Sequence, residues 1–234
     1  MPHPDLLRHD PVAAPSGLVL MLHGGRAHGH AAVDERSASW RRTRWMMRQI
    51  EARLQAADCN VWLLRFGVRG WNAGSGVPSP VPDARWALEQ VRAKYGADLP
   101  VVLLGHSMGA RTAVAVADDP SVTGVVALAP WLPADEPVQP LAGRHLAAAH
   151  GSTDPITSAR QTRAFVGRAR RVAASAEFED MGRVGHYLFR RIPAWNAFAV
   201  HRSLAFVHHP AGRGALTATG GCPADRGRCP GRRW

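Results

Sequence analysis

Lysine is almost absent from this sequence: Lys94 is the single lysine, and every other basic side chain is an arginine. The chain has 29 basic against 18 acidic residues, so its net charge is +11. Alanine, glycine and proline accompany the arginines, and this bias is typical of a GC-rich genome rather than of a nucleic-acid footprint. We therefore interpret the charge as compositional, with nucleic-acid binding through the arginine-rich C-terminal segment as the less favoured alternative.

Cysteine and long apolar runs are also scarce, and each absence excludes a class of protein. The three cysteines, Cys59, Cys222 and Cys229, do not make a disulfide framework. No stretch reaches the about 18 consecutive apolar residues of a membrane span, and the first residues lack the pattern of a secretory signal. No cluster of histidine, cysteine or acidic residues has metal-ligand spacing. We predict a cytoplasmic protein without a membrane span or catalytic metal.

The order of apolar runs indicates one α/β domain. We divide the chain into a lead-in (1–16), one α/β domain (17–209) and a Gly/Arg/Pro-rich tail (210–234) whose composition predicts disorder. The predicted strands are 17–22, 60–66, 100–105, 122–128, 144–150 and 174–179, and the predicted helices are 40–57, 83–95, 109–117, 158–170 and 189–208. This alternation predicts a mostly parallel central sheet with helices on both faces.

The most informative segment is a glycine-flanked serine between a strand and a helix. The apolar run 101–104 leads into Gly105-His-Ser107-Met-Gly109, and a small-residue helical run follows. In this context the turn holds the serine in a strained conformation that exposes its hydroxyl, and side chains at Gly105 and Gly109 would collide with nearby backbone. The pattern predicts Ser107 as a nucleophile.

Three further motifs supply what such a serine needs. Gly25 ends a His-Gly-Gly turn after the first predicted strand, Asp154 lies in a turn after a later strand, and His186 lies in a Gly-His-Tyr loop. A serine hydroxyl needs an imidazole base, and a carboxylate fixes the tautomer of that imidazole. Asp180 is a rival carboxylate closer to His186 in sequence. We prefer Asp154 because a proline and a helix follow it at the end of its strand.

On these motifs the sequence resembles the α/β-hydrolase-fold serine hydrolases, in particular lidless esterases and dienelactone-hydrolase-like enzymes, from about residue 17 to about residue 209. The chain order nucleophile, Asp, His is that of this fold. The resemblance implies Ser107 as nucleophile, His186 as general base and acid, and Asp154 as the orienting carboxylate. It also implies an oxyanion hole formed by the backbone N–H groups of Gly25 and Met108, and it implies no cofactor.

Substrate preference is less well defined by the sequence. In the family that the chain resembles, large lids follow the strand that is predicted here at 122–128, but the segment 131–141 is too short for a cap domain. We therefore expect minimal or no cap and an open pocket for a small-molecule acyl substrate. The candidate substrate-binding residues are Arg26, Trp71, Trp131 and Tyr187. The aromatic residues could equally anchor loops to the core.

We interpret the chain as a hydrolase of small or medium carboxylic esters that acts through an acyl-enzyme. Cleavage of thioesters, lactones or peptides and acyl transfer use the same machinery and stay open, as does a non-catalytic binding protein on the same fold. The oligomeric state is not predicted. Among the twelve histidines, we interpret His23 and His106 as structural.

One predicted helix, over 40–54, is basic on one side. The arginines that share this side are Arg41, Arg44 and Arg48. The apolar residues that share another side are Met47, Ile50 and Leu54. We interpret this pattern as a helix that packs on the sheet and has a solvated basic side, with an anion-binding surface as the less favoured alternative.

Overall fold

A computed structural model describes residues 2–74 and 76–208. The expected tail, with Cys222 and Cys229, lies outside these residues. The described part contains a seven-stranded sheet in the order β1-β3-β2-β4-β5-β6-β7, antiparallel only between β1 and β3. The strands are β1 (Asp5–His9), β2 (Gly17–Leu22), β3 (Cys59–Arg65), β4 (Val101–His106), β5 (Val122–Leu128), β6 (His145–His150) and β7 (Ser175–Asp180).

Helices connect the parallel strands and cover both faces of the sheet. They are α1 (Ala38–Gln55), α2 (Pro80–Tyr95), α3 (Met108–Ala115), α4 (Ala159–Ala169) and α5 (Ile192–His208). The connection from β2 to β3, through α1, and the connection from β3 to β4, through α2, run in opposite directions along the sheet. Because such crossovers are right-handed, α1 and α2 lie on opposite faces. The predicted fold class, an α/β-hydrolase fold with a mostly parallel sheet, is thereby confirmed.

The central strands are buried along their whole length. Every residue of β2 and β4 is buried, because helices on both faces leave no side of the sheet to solvent and favour continuous apolar runs. All parallel strands therefore end at one edge of the sheet, and the loops that follow them meet there. The carboxyl ends of β2, β4, β6 and β7 carry the four motifs found in the sequence.

The lead-in contains a strand that the sequence pattern did not predict. Strand β1 pairs antiparallel with β3, with Asp5 opposite Arg65 and His9 opposite Val61. It lies at the edge of the sheet and is only partly buried. Its sequence therefore shows neither a continuous apolar run nor a regular alternation of apolar and polar residues, and nothing in it predicted a strand.

Two helix starts differ from the prediction by three residues, and the other three differ by one or two. Helix α2 begins at Pro80 rather than at residue 83, because the first helical turn needs no backbone donor and so accepts proline. Helix α5 begins at Ile192 rather than at residue 189.

The connection from β5 to β6 contains a single 3₁₀ turn, Gln139–Leu141, and no cap domain, as expected. Within the described ranges, no helix is both long enough and apolar enough to cross a membrane.

Candidate active site

The serine motif forms a sharp turn between β4 and α3. Ser107 has φ 55° and ψ −118°, a left-handed conformation that is costly for a residue with a Cβ. A Cβ on Gly105 would lie 2.5 Å from the backbone nitrogen of Ala110, and one on Gly109 would lie 2.5 Å from the carbonyl oxygen of His23. The two glycines therefore allow the close packing that holds this turn, as the sequence predicted.

The three candidate catalytic side chains are hydrogen-bonded in series. The Nδ1–H of His186 donates to Asp154 Oδ2 at 2.7 Å. The Nε2 of His186 lies 2.9 Å from Ser107 Oγ and, in the neutral imidazole, accepts a hydrogen bond from the serine hydroxyl. Ser107 and His186 are only 7% and 5% exposed. The structure therefore brings together three residues that are 47 and 32 positions apart in the chain.

Asp154 is held as a carboxylate. Burial acts to raise its pKa, but hydrogen bonds from His150, His186 and the backbone N–H groups of Thr157 and Ile156 outweigh burial and hold that pKa well below its usual value. The rival Asp180 is exposed and does not approach His186. Its Oδ1 instead accepts the N–H of Gly182, and its Oδ2 lies 3.7 Å from Arg163.

A second histidine binds the same carboxylate oxygen, and sequence reasoning missed it. The Nε2–H of His150, at the end of β6, donates to Asp154 Oδ2 at 3.1 Å, while its Nδ1 lies 2.8 Å from the hydroxyl of Thr162. The hydroxyl of Thr157 also donates to Asp154 Oδ2 at 2.9 Å. These contacts fix the rotamer of the carboxylate that orients His186. The spacing His-x3-Asp was the only available signal, and it is not specific.

Two further histidines hold the loops around the serine. His23 Nδ1–H donates to the carbonyl of Gly24 at 2.7 Å, and its Nε2 accepts the N–H of Phe66 at 3.2 Å. His106 Nε2–H donates to the carbonyl of His186 at 3.0 Å. Burial lowers the pKa of His23 to about 4 and that of His106 to about 3, so both are neutral at pH 7. Both contacts agree with the structural roles predicted for them.

The two residues predicted to form the oxyanion hole, Gly25 and Met108, lie on separate backbone segments next to Ser107. Gly25 borders the same cavity as Ser107, and Met108 is the first residue of α3, where the helix dipole is positive. In the described part of the chain, neither N–H is bonded to a backbone carbonyl. A Cβ on Gly25 would lie 2.6 Å from the carbonyl oxygen of Arg69 and would also collide with the side chain of Met108. The close packing of this segment therefore requires glycine.

We expect Gly25→Ala to lower kcat for ester hydrolysis by about 100-fold with a smaller change in KM. The added methyl group must displace the loop that carries the Gly25 N–H, and the loss of one oxyanion donor costs about 3 kcal/mol of barrier. Steady-state kinetics on a 4-nitrophenyl ester would measure this effect. A matched control is Gly167→Ala, exposed on α4, where a Cβ meets no atom within 4 Å. Equal kinetics for Gly25→Ala and the parent would contradict the assignment.

A cavity of about 780 Å³ opens above Ser107. Three of the four candidate substrate-binding residues, Arg26, Trp131 and Tyr187, line it, and Tyr187 is 55% exposed. Trp71 does not line this cavity and is only 5% exposed. Its ring contacts Trp131 edge-on at 6.1 Å, so it supports the cavity wall from behind instead of forming it.

Arg111 completes the support behind Trp131. Its guanidinium lies 4.1 Å from the ring of Trp71 and 4.6 Å from that of Trp131, and its Nε donates to Glu136 at 2.6 Å. The backbone N–H of Trp131 also donates to the carbonyl of Ser107 at 3.2 Å. The cavity wall and the serine turn are therefore fixed to each other.

Arg42 on α1 holds the loop that carries the candidate catalytic histidine, a role that the sequence analysis did not foresee. Its Nε and Nη2 donate to the carbonyls of Tyr187 and Leu188 at 2.8 and 2.9 Å. Leu188 has φ 59°, so these bonds stabilise a strained backbone. Burial lowers the pKa of Arg42 to about 10, and the guanidinium stays charged at neutral pH.

Comparison with known proteins identifies the same architecture. Residues 19–230 match the α/β-hydrolase family, so the match extends beyond the boundary predicted at residue 209. The sequence has no detectable match among curated proteins.

Solved structures resemble the chain in fold at low sequence identity. An α/β serine hydrolase homologue from Coxiella burnetii has 17% identity and a TM-score of 0.62, over 85% of this chain and 90% of its own. A serine hydrolase without a lid from Xanthomonas campestris has 19% identity and a TM-score of 0.58, over 85% of this chain and 88% of its own. A protein from Butyrivibrio proteoclasticus with bound ferulic acid has 11% identity and a TM-score of 0.60, over 88% of this chain and 96% of its own.

Proposed function

The chain belongs to the α/β-hydrolase family, and we propose that this hydrolase cleaves small or medium carboxylic esters through a serine acyl-enzyme. The observation that supports the proposal is the series of bonds from Asp154 to His186 and from His186 to Ser107, at 2.7 and 2.9 Å. The same bonds, in a cavity without a cap, argue against a purely non-catalytic binding role.

In the proposed reaction each residue has one task. Ser107 Oγ attacks the acyl carbon as His186 Nε2 takes its proton. Asp154 stabilises the imidazolium that forms, and the N–H groups of Gly25 and Met108 bind the oxyanion. The alcohol leaves with the proton from His186, and the acyl group stays on Ser107. Water then loses a proton to the same imidazole and attacks the acyl group, and His186 returns that proton to Ser107 Oγ as the bond to the acyl group breaks and the acid leaves.

A partitioning experiment tests the acyl-enzyme. Phenyl acetate and 4-nitrophenyl acetate would be hydrolysed in buffer that contains methanol, and the ratio of methyl acetate to acetate would be measured for each ester. Because both esters give the same acetyl-Ser107, we expect the same ratio from both. A ratio that depends on the leaving group would mean direct attack by water and would contradict the proposal. The non-enzymatic reaction in buffer is the control.

A further inference from the structure

The basic side of α1 borders a second cavity, of about 580 Å³. This cavity, which we call the arginine cavity, is lined by Arg36, Ala38, Arg41, Arg42, Arg44, Trp45, Arg48, Phe189 and Ile192. Arg36 and Ala38 also line the cavity above Ser107. The two cavities therefore adjoin at Arg36 and Ala38.

The charged side chains that line the two cavities are all positive. Five arginines line the arginine cavity and three line the serine cavity, with Arg36 common to both, and no Asp or Glu is among the described residues that line either. Arg69 pairs with Asp34 at 3.4 Å, and Arg42 donates to backbone carbonyls. The remaining arginines have no carboxylate partner in the described part of the chain: Arg26, Arg36, Arg41, Arg44 and Arg48.

Exposure separates Arg42 from the other arginines of this cluster. Arg36, Arg41 and Arg48 are exposed and Arg44 is half-buried, so their charges are accessible to a ligand in the cavity. Arg42 is buried, and its guanidinium lies 5.0 Å from the ring of Trp45 and 5.3 Å from that of Phe189, so it supports the cavity wall.

The start of α1 contributes the positive end of its helix dipole. Its first turn has no acidic residue, and the hydroxyl of Ser37, the capping residue, donates to Asp34 Oδ1 at 2.7 Å, a carboxylate that also pairs with Arg69. Residues 37–39 line the cavity above Ser107. The positive end of the helix dipole therefore lies where the two cavities meet, and it favours a phosphate or another anion there.

We propose that the substrate is an ester or thioester that carries a phosphate group, and that this phosphate binds in the arginine cavity while the reacting carbonyl lies at Ser107. This inference rests on the proposed function. Arginine binds phosphate oxygens in a bidentate manner, and several unpaired arginines match a group with more than one negative charge. The exposed rings of Trp45 and Phe189 line the arginine cavity and offer apolar contact to the linker between carbonyl and phosphate.

Two matched pairs of substrates test the proposal and show which half of the substrate carries the phosphate. The first pair, S-acetyl pantetheine and S-acetyl 4′-phosphopantetheine, has the phosphate in the leaving half, and thiol release is measured. The second pair, the 4-nitrophenyl esters of hexanoate and of 6-phosphonooxyhexanoate, has the phosphate in the acyl half, and release of 4-nitrophenol is measured. In the pair whose phosphate lies in the half of the substrate that the arginine cavity binds, we expect kcat/KM to be about tenfold higher for the phosphorylated member than for the neutral member. The preference should weaken as the NaCl concentration rises.

Variants locate the effect on α1. The triple variant Arg41→Gln, Arg44→Gln, Arg48→Gln should lower the ratio of kcat/KM between the phosphorylated and neutral substrates by about tenfold. A control triple variant, Arg53→Gln, Arg160→Gln, Arg171→Gln, removes three positive charges from exposed positions outside both cavities and should keep the parent ratio. An equal fall in the control would overturn the site, because long-range attraction would then explain the preference.

The outcomes also separate this inference from the proposed function. A parent ratio near one in both pairs, with Ser107-dependent turnover of the neutral substrates, overturns the phosphate site and leaves the ester hydrolase intact. Failure of all four substrates to turn over contradicts both.

Discussion

Ser107→Ala is expected to abolish labelling by a fluorescent fluorophosphonate probe and to lower kcat for ester hydrolysis by about 10³-fold or more. The probe reacts only with an activated hydroxyl, and Ser107 Oγ is the hydroxyl that lies 2.9 Å from His186 Nε2. Serine already has a Cβ in the strained turn, so alanine adds no steric conflict there. Gel fluorescence and steady-state kinetics measure the two effects, and circular dichroism compares the folding of parent and variant.

Ser152→Ala is the matched control for this experiment. Ser152 is exposed on the loop before Asp154, and its backbone N–H, which the substitution keeps, donates to the carbonyl of Gly182. Labelling should therefore be retained in this variant. Labelling that persists in Ser107→Ala would place the activated nucleophile elsewhere, whereas a folded parent that does not react would support a binding protein on this fold.

Asp154→Asn should lower kcat by about 10⁴-fold, with a folded protein and a KM of the same order. An amide offers its NH₂ or its weaker carbonyl to His186, so the imidazole loses both its fixed tautomer and the charge that stabilises its protonated form. His150 donates to the same oxygen, and its N–H would lose the anionic acceptor at the same time. Steady-state kinetics and the rate of fluorophosphonate labelling both measure the loss.

Asp180→Asn separates the two candidate carboxylates. Because Asp180 is exposed and contacts Gly182 and Arg163, we expect its removal to change kcat by less than about twofold. A large loss in Asp180→Asn together with a small one in Asp154→Asn would reverse the assignment. Thermal unfolding of both variants distinguishes a loss of catalysis from a loss of structure, since Asp154 is the more buried of the two.

Strands buried on both faces were the easiest part of the fold to predict. The predicted limits of β2 and β5 coincide with the structure, since a continuous apolar run is the direct consequence of burial on two faces. The half-buried edge strand β1 has no such pattern and was missed. Its place depends on pairing with β3, which is more than 45 residues away and not encoded locally.

The candidate site was predictable where local turns encode it. Ser107, Asp154 and His186 each follow a strand end, and a parallel sheet brings such ends to one edge. By contrast, neither the burial of Trp71 behind Trp131 nor the bond from His150 to Asp154 follows from local pattern, because both depend on packing between distant segments. The basic side of α1 was correctly placed on the helix surface, but only the tertiary structure shows that it adjoins the cavity above Ser107.

The two edges of the sheet have a consequence for how copies of this protein meet. An unpaired edge strand can recruit the same strand of another copy and begin aggregation. Strand β7 is exposed along one side and carries two charged residues there, Glu179 and Glu177, the second paired with Arg202 at 2.6 Å. Two copies joined through β7 would have to desolvate these charges, so the charged edge opposes the growth of the sheet from one molecule into the next.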